Sequence, residues 1–375
     1  MSVPTPSFRH IVLQPTSLCN LNCTYCYLPD RKAARFMEPE IPAAIASSLE
    51  DLNHSVQVLW HGGEPLVTGI NRFCDLLAPF EKLRSQTLVR HSLQTNATLV
   101  TDEWCRIFKE YNFHIGVSID GPAPQNANRI KWNGDATYDN VLKGVEKLKK
   151  HGIRFVVISV VSSANLDEPQ AFYDFFRGLG CSGLAINVAE QEGLNRFGQI
   201  VEEQRVRDFW RVLFEAWLEH PDLRVREFDG VIGWLRVTSG SPVEIAPRYS
   251  DMWPTVSTSG DVVVLSPELM ASNPDEYPRF IIGNVLEESF STLVERSRSA
   301  WYVKEFFDGV SVCRQECPYF SYCGGGQGSN KYYETGSFKV TETRHCRNHR
   351  QALVDAVLGQ LEAQAKIQKG DATNV

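Results

Sequence analysis

Six short apolar runs, alternating with helix-period stretches, constrain this 375-residue chain more than any other feature. They read RHIVLQPT (9–16), SVQVLWHGGEP (55–65), LVRHSLQTNATL (88–99), FHIGVSIDGP (113–122), IRFVVISVVSSAN (153–165) and GLAINVAE (183–190). Near-continuous apolar character marks strands covered on both faces. The stretches between them keep a different period. In ATYDNVLKGVEKLKKHG, Tyr138, Val141, Leu142, Val145 and Leu148 share one helical face, and Gly152 closes the helix. Strands alternating with amphipathic helices mean βαβ units and a parallel sheet. Six strands are too few for a closed eight-stranded barrel. The expected fold is therefore α/β, a partial (βα)6 TIM-like barrel.

In parallel barrels the loops at the C-terminal strand ends carry the chemistry. The unusual motifs of the first half all fall there: the cysteines of CNLNCTYC, then Gly62-Gly63-Glu64, Gln94-Thr95-Asn96 and Ser118-Ile119-Asp120-Gly121. Composition narrows the class further. A hydrophobic share of 43% with 22% charged residues suffices for a large core. The net charge of -7 argues against a partner held by phosphate neutralisation, so no nucleic acid is expected. The sequence contains no 18-residue apolar run and no signal peptide, so no membrane association is expected and the location expected is cytoplasmic. In that compartment ten cysteines are better metal ligands than disulfide partners.

The cysteines fall into groups. Cys19, Cys23 and Cys26 share the opening loop, while Cys313, Cys317, Cys323 and Cys346 lie near the C-terminus. Cys74, Cys105 and Cys181 stand singly in apolar contexts and read as small buried hydrophobes. A structural zinc site closes with four ligands. The opening loop offers three, spaced x3 then x2, with no fourth cysteine or histidine nearby. Three cysteines can ligate three irons of a [4Fe–4S] cube and leave the fourth iron open. Catalytic metal sites keep such a vacant position. The four C-terminal cysteines, spaced x3, x5 and x22, could hold either zinc or a closed [4Fe–4S] cluster.

A Cx3Cx2C loop directly after the first strand, with ordered strand-end motifs downstream, resembles the radical S-adenosylmethionine (SAM) superfamily. The resemblance implies a [4Fe–4S] cluster at Cys19, Cys23 and Cys26 whose open iron takes the SAM amino and carboxylate groups. It also implies SAM contacts from Tyr25, Gly62, Gly63, Glu64, Asn96, Ser118, Asp120 and Arg129. The loop before Arg129 carries Gln125-Asn126 where relatives read His-Asp. His61 reads as a packing or hydrogen-bonding residue of its turn.

The C-terminal cysteines resemble a SPASM extension, which holds auxiliary iron–sulfur clusters. The full extension uses seven cysteines for two clusters; here Ser250 and Gln327 stand where relatives place two of them. One fully ligated auxiliary cluster is expected at Cys313, Cys317, Cys323 and Cys346, giving two [4Fe–4S] clusters in all. Asp251, beside the vacated position, matches a catalytic aspartate of sulfatase-maturating relatives and is the expected base.

The pieces LQPTSLCNLNCTYCYLPDR, CGGGQGSNKYYETGSF and TETRHCRN resemble the GrrM/OscB-type peptide maturases, which form three-residue cyclophanes. That resemblance implies a ribosomal precursor peptide as substrate, with thioether or formylglycine formation as the alternative. It also implies an external electron donor of flavodoxin or ferredoxin type. Only about ten residues precede the first strand, too few for a leader-recognition domain, so precursor recognition is expected from the C-terminal half or a separate protein. The expected organisation is a barrel over 1–199, a helical bridge over 200–245 and an auxiliary-cluster domain with a C-terminal helix over 246–375. The bridge aromatics fall at helical spacing and read as core.

Overall fold

The structure, a computed structural model, describes residues 8–195, 201–238, 252–271 and 279–372. All six expected strands form: β1 (His10–Leu13), β2 (Val56–Trp60), β3 (Val89–Thr95), β4 (His114–Ser118), β5 (Phe155–Val161) and β6 (Leu184–Val188). Each pairs in parallel with its sequence neighbour, in the order β6-β5-β4-β3-β2-β1. The register sets apolar residues side by side, with Ile11 opposite Val58, Leu93 opposite Ile115 and Val157 opposite Leu184. The helix Tyr138–Lys150 turns Val141, Val145 and Leu148 fully into the core, as its period requires. Tyr138 and Leu142 flank that stripe, half-buried.

The free edge of β1 is not left open. Three further strands, β7 (Thr255–Val256), β8 (Asp261–Val263) and β9 (Gly283–Asn284), continue the sheet. Strand β7 runs parallel to β1, while β8 and β9 follow antiparallel. The sequence reading did not foresee this extension. Strands of two or three residues are too short to show a period. The extension seals the edge of β1, which would otherwise present unpaired amides.

Two apolar clusters fill the molecule. The larger spans the barrel and takes in Phe209, Trp210 and Phe214 of the helix Glu203–Glu219, with Leu353 and Val357 of the helix Ala352–Ala372. Of the aromatics expected to be core in the bridge, Phe209, Trp210, Phe214 and Phe228 are buried, whereas Trp217 and Trp234 are half-buried against the cluster. Trp210 also donates to the carbonyl of Asn348 at 2.9 Å, tying that helix to the segment after Cys346. The smaller cluster packs Met252, Val263, Val264, Tyr302, Phe306, Val310 and Phe338 around the helix Trp301–Glu316, which carries Cys313. Of the three solitary cysteines, Cys105 is buried, whereas Cys74 and Cys181 are only half-buried. Among the described residues no helix is long and apolar enough to cross a membrane.

Candidate active site

The cysteine loop leaves the end of β1 and is pinned from two sides. Cys19 donates its backbone amide to the carbonyl of Arg31 at 2.9 Å, and Trp132 Nε1 donates to the carbonyl of Cys19 at 2.9 Å. Asn22 and Thr24 hang on the carbonyls of Ile130 and Asn128. The turn from Cys23 to Cys26 closes on itself at 3.2 Å. Burial pushes the Cys19 thiol far above its ordinary value, with Glu64 adding to the rise. It pushes Cys23 up to about 11. Thiols this reluctant to ionise stay protonated until a metal binds the sulfur and displaces the proton. The donor set fits an iron–sulfur cluster.

The turn after β2 explains its own glycines. Gly63 has φ +58°, and a Cβ there would stand 2.5 Å from the carbonyl oxygen of Leu18 and 2.8 Å from that of Thr16. The turn therefore packs backbone to backbone against the cysteine loop, which only glycine permits. Glu64 is buried behind it, accepting from Thr95 Oγ1 at 2.7 Å, Asn96 N at 2.7 Å and Leu66 N at 3.1 Å. Burial raises its carboxyl to about 7, opposed by those three hydrogen bonds. Asn96 in turn donates to Asn20 Oδ1 at 2.9 Å. Glu64 and Asn96 thus fasten the second and third strand ends to the first.

At the ends of β4 and β5 the polar centre is Asp120. It accepts from Tyr25 Oη at 2.6 Å, Arg129 Nη2 at 3.0 Å and Val160 N at 3.0 Å. Arg129 is 7% exposed and lies over the Tyr25 ring, 5.5 Å from its centroid. Its Nε has no hydrogen-bond partner. Ser118 Oγ accepts from Gln94 Nε2 at 2.7 Å.

One cavity of about 620 Å³ joins these groups. Of the expected SAM contacts, Tyr25, Gly63, Glu64, Asn96, Ser118 and Arg129 line it together with all three opening cysteines. Gly62 and Asp120 stand behind the wall. Asp251, the expected base, lies outside the described residues, as does Ser250.

The far wall of that cavity was missed in the sequence. Glu190 and Glu192 follow β6, Glu268 comes from the turn Pro267–Ala271, and His345 and His349 flank Cys346. Burial raises Glu190 and Glu192 well above the usual carboxylate range, neighbouring carboxylates adding to the rise, and brings Glu268 to about 7. His345 Nδ1 lies 3.1 Å from Glu190 Oε2 but without hydrogen-bond alignment. Burial holds His345 neutral, at about 3, so the contact is no ion pair. Tyr27 and His61 share a hydrogen bond of 3.0 Å on the same wall, and burial lowers His61 to about 4. The rule that found the other strand-end loops would also have found Glu190 and Glu192, since both follow a strand.

The four C-terminal cysteines form a separate group away from the cavity. Cys313 ends one helix, Cys317 begins the next turn and Cys323 precedes Gly324-Gly325-Gly326. Cys346 approaches from the far segment; a Cβ on Gly326 would stand 3.7 Å from its Sγ. Cys346, with Arg350 and the amides of Gly325 and Gly326, favours the ionised form of Cys323 and holds its thiol below the ordinary value in spite of burial. Amide donors aimed at sulfur suit cluster ligation. Among the described residues no three His, Cys, Asp or Glu side chains converge on a point suited to one metal ion. A single zinc would need thiolates about 2.3 Å from one centre.

Residues 13–176, from β1 through the helix Pro169–Leu179, match the radical SAM superfamily. An uncharacterised protein of Synechocystis sp. is 34% identical over 94% of this chain and 92% of its own length. The chain belongs to the radical SAM superfamily. A serine-type anaerobic sulfatase-maturating enzyme of Bacteroides thetaiotaomicron is 23% identical over 91% of this chain and 88% of its own. The solved structure of anSMEcpe with bound AdoMet and the Cp18Cys peptide superposes with a TM-score of 0.76 at 22% identity, covering 95% of this chain and 98% of that one. For this radical SAM enzyme the superfamily implies a [4Fe–4S] cluster with SAM, and the three half-buried cysteines with their glycine-lined turn fit both.

Proposed function

We propose that this enzyme is a peptide maturase that joins an aromatic side chain to a nearby Cβ of a ribosomal precursor, forming a cyclophane. The observation that carries the reading is the single cavity running from the three-cysteine loop to residues beside the four-cysteine group. Tyr322, Gln327 and His345 line it and are close in sequence to Cys323 and Cys346. A peptide there would meet the SAM site at one end and the surroundings of the second cluster at the other. The relatives support a peptide substrate: the anSMEcpe structure holds one.

When bound, SAM and the open-iron cluster supply a hydrogen-abstracting 5′-deoxyadenosyl radical, and a fully ligated second cluster supplies an electron acceptor. The chain's own residues bind, orient and take up the proton. Cys19, Cys23 and Cys26 would hold the first cluster, and Cys313, Cys317, Cys323 and Cys346 the second. Ser118 and Arg129 line the SAM end. Ring closure releases a proton from the arene, and a base with a pKa near the working pH accepts it best. Glu268 faces the cavity with its carboxyl raised to about 7, Glu190 and Glu192 face it raised well above the usual carboxylate range, and Asp251 is the further candidate. Leu21, Ile158 and Val188 supply an apolar stretch of the wall. The same reading has the enzyme cytoplasmic and reduced by a flavodoxin- or ferredoxin-type donor.

Thioether or formylglycine formation is the second reading, favoured by the whole-length likeness to the sulfatase-maturating enzyme. Coexpression with the precursor followed by tandem mass spectrometry separates the two. A cyclophane removes two hydrogen atoms per ring, with fragmentation suppressed across an aromatic-led tripeptide. A link at a cysteine sulfur, or a serine or cysteine converted to formylglycine, overturns it.

A further inference from the structure

Lys331 lies beside the four C-terminal cysteines and is 1% exposed. Its Nζ is 3.8 Å from Cys313 Sγ, and it faces the Phe306 ring at 5.3 Å. Burial works against its charge, and what opposes that burial is the sulfurs of Cys313, Cys346 and Cys323. Among the described residues no carboxylate lies within ion-pair distance of it. A Cβ on Gly309 would stand 2.6 Å from the Phe338 carbonyl oxygen and 3.2 Å from Nζ, so the helix that carries Cys313 has glycine where it passes the lysine.

Burying an ammonium with no counter-charge is costly, so lysine is rarely found fully buried unless paired. Here only cysteine sulfur can supply the pairing. We infer that Lys331 is the counter-cation of the auxiliary cluster and raises its reduction potential. This rests on the proposed cluster at Cys313, Cys317, Cys323 and Cys346. Four thiolates around a [4Fe–4S] core leave a net negative charge that grows by one on reduction. A buried cation beside one sulfur favours the more negative state, and net charge and hydrogen bonds to sulfur are what set such potentials. For a centre that must accept an electron from the substrate, that is the useful direction. Lys331 acts through the cluster and is a positioning residue.

The test is an EPR-monitored redox titration of the full chain in a Cys19/Cys23/Cys26→Ala background, where only the auxiliary signal remains. Lys331→Met is expected to make the midpoint potential more negative, while Lys331→Arg holds it near the unsubstituted value. Loss of auxiliary iron in Lys331→Met with retention in Lys331→Arg also supports the role. An intact cluster at unchanged potential in Lys331→Met overturns it. So does equal iron loss in both variants, because shape and not charge would then be what matters. Zinc in place of iron in the unsubstituted protein overturns the cluster reading and this role together. That outcome is visible in the metal analysis before any titration.

Discussion

The two cysteine groups are built in opposite ways. Cys19, Cys23 and Cys26 come from one loop, half-buried in the wall of a large cavity and backed by the carboxylate of Glu64. Cys313, Cys317, Cys323 and Cys346 come from segments up to 33 positions apart, outside the cavity, with Lys331, Arg350 and two glycine amides around them. The first group offers three thiols to the cavity, with Glu64 beside Cys19 and Arg129 beside Cys23; the second offers four thiols, with Lys331 beside Cys313, Glu342 near Cys317 and Arg350 near Cys323. The difference teaches that ligand count decides whether iron can take a small molecule. The charge around the ligands decides which way electrons run.

Breaking each group in turn gives the largest contrast. Replacing Cys19, Cys23 and Cys26 by alanine is expected to abolish 5′-deoxyadenosine formation under reducing conditions. Cys313→Ala is expected to spare SAM cleavage and lose the crosslinked product, both read by chromatography. SAM cleavage surviving the first substitution would remove the basis for calling that loop catalytic.

Metal content sharpens the same comparison. Two cubes correspond to about eight irons per chain, with about four left when either group is removed. Zinc at the second group, or about twelve irons in the intact protein, would break the two-cluster reading.

A smaller change tests the turn between them. Gly63→Ala forces a side chain into a positive-φ position at a local cost of about 1–3 kcal/mol, before the clash with the Leu18 carbonyl is added. The expected result is weaker SAM binding and partial loss of the first cluster, with the second unchanged. Equal iron loss at both would show global unfolding.

The smallest expected effect on iron and product, none at all, belongs to a control in the core of the sheet. His91, a buried residue of β3, accepts from Trp60 Nε1 at 3.2 Å and is held by burial at about 3, against an ordinary value of 6.5. Its depressed value means that the unfolded chain binds the proton more readily. Stability is therefore full above pH 6.5 and falls as pH drops toward 3, by up to about 1.4 kcal/mol per unit. His91→Gln should flatten the fall of melting temperature between pH 6.5 and 4 without altering iron content. An unchanged slope would show that His91 is not held neutral in the fold.

Much of the site was legible because it is local. Cys19, Cys23 and Cys26 lie within eight positions, and Gly62-Gly63-Glu64 within three. Each strand end brings a whole motif to one place once the barrel rule is applied. Glu268, His345 and His349 reach the cavity from segments far along the chain, where no period or spacing points inward. Nothing in KYYETG marks Lys331 as buried, because charge in a sequence carries no burial with it. Asp120 was named from its motif alone, and only the fold shows that its oxygens tie Tyr25, Arg129 and Val160 together.

The sequence by itself determined the six parallel strands, the catalytic end of the barrel and the three-thiol loop, since hydrophobic period and short spacing are properties of neighbours. Tertiary structure alone decided the extension of the sheet by β7–β9, the acidic far wall and the cation beside the second cysteine group. Those depend on contacts between residues tens to hundreds of positions apart, and only chain packing brings them within the few ångströms over which hydrogen bonds and charges act.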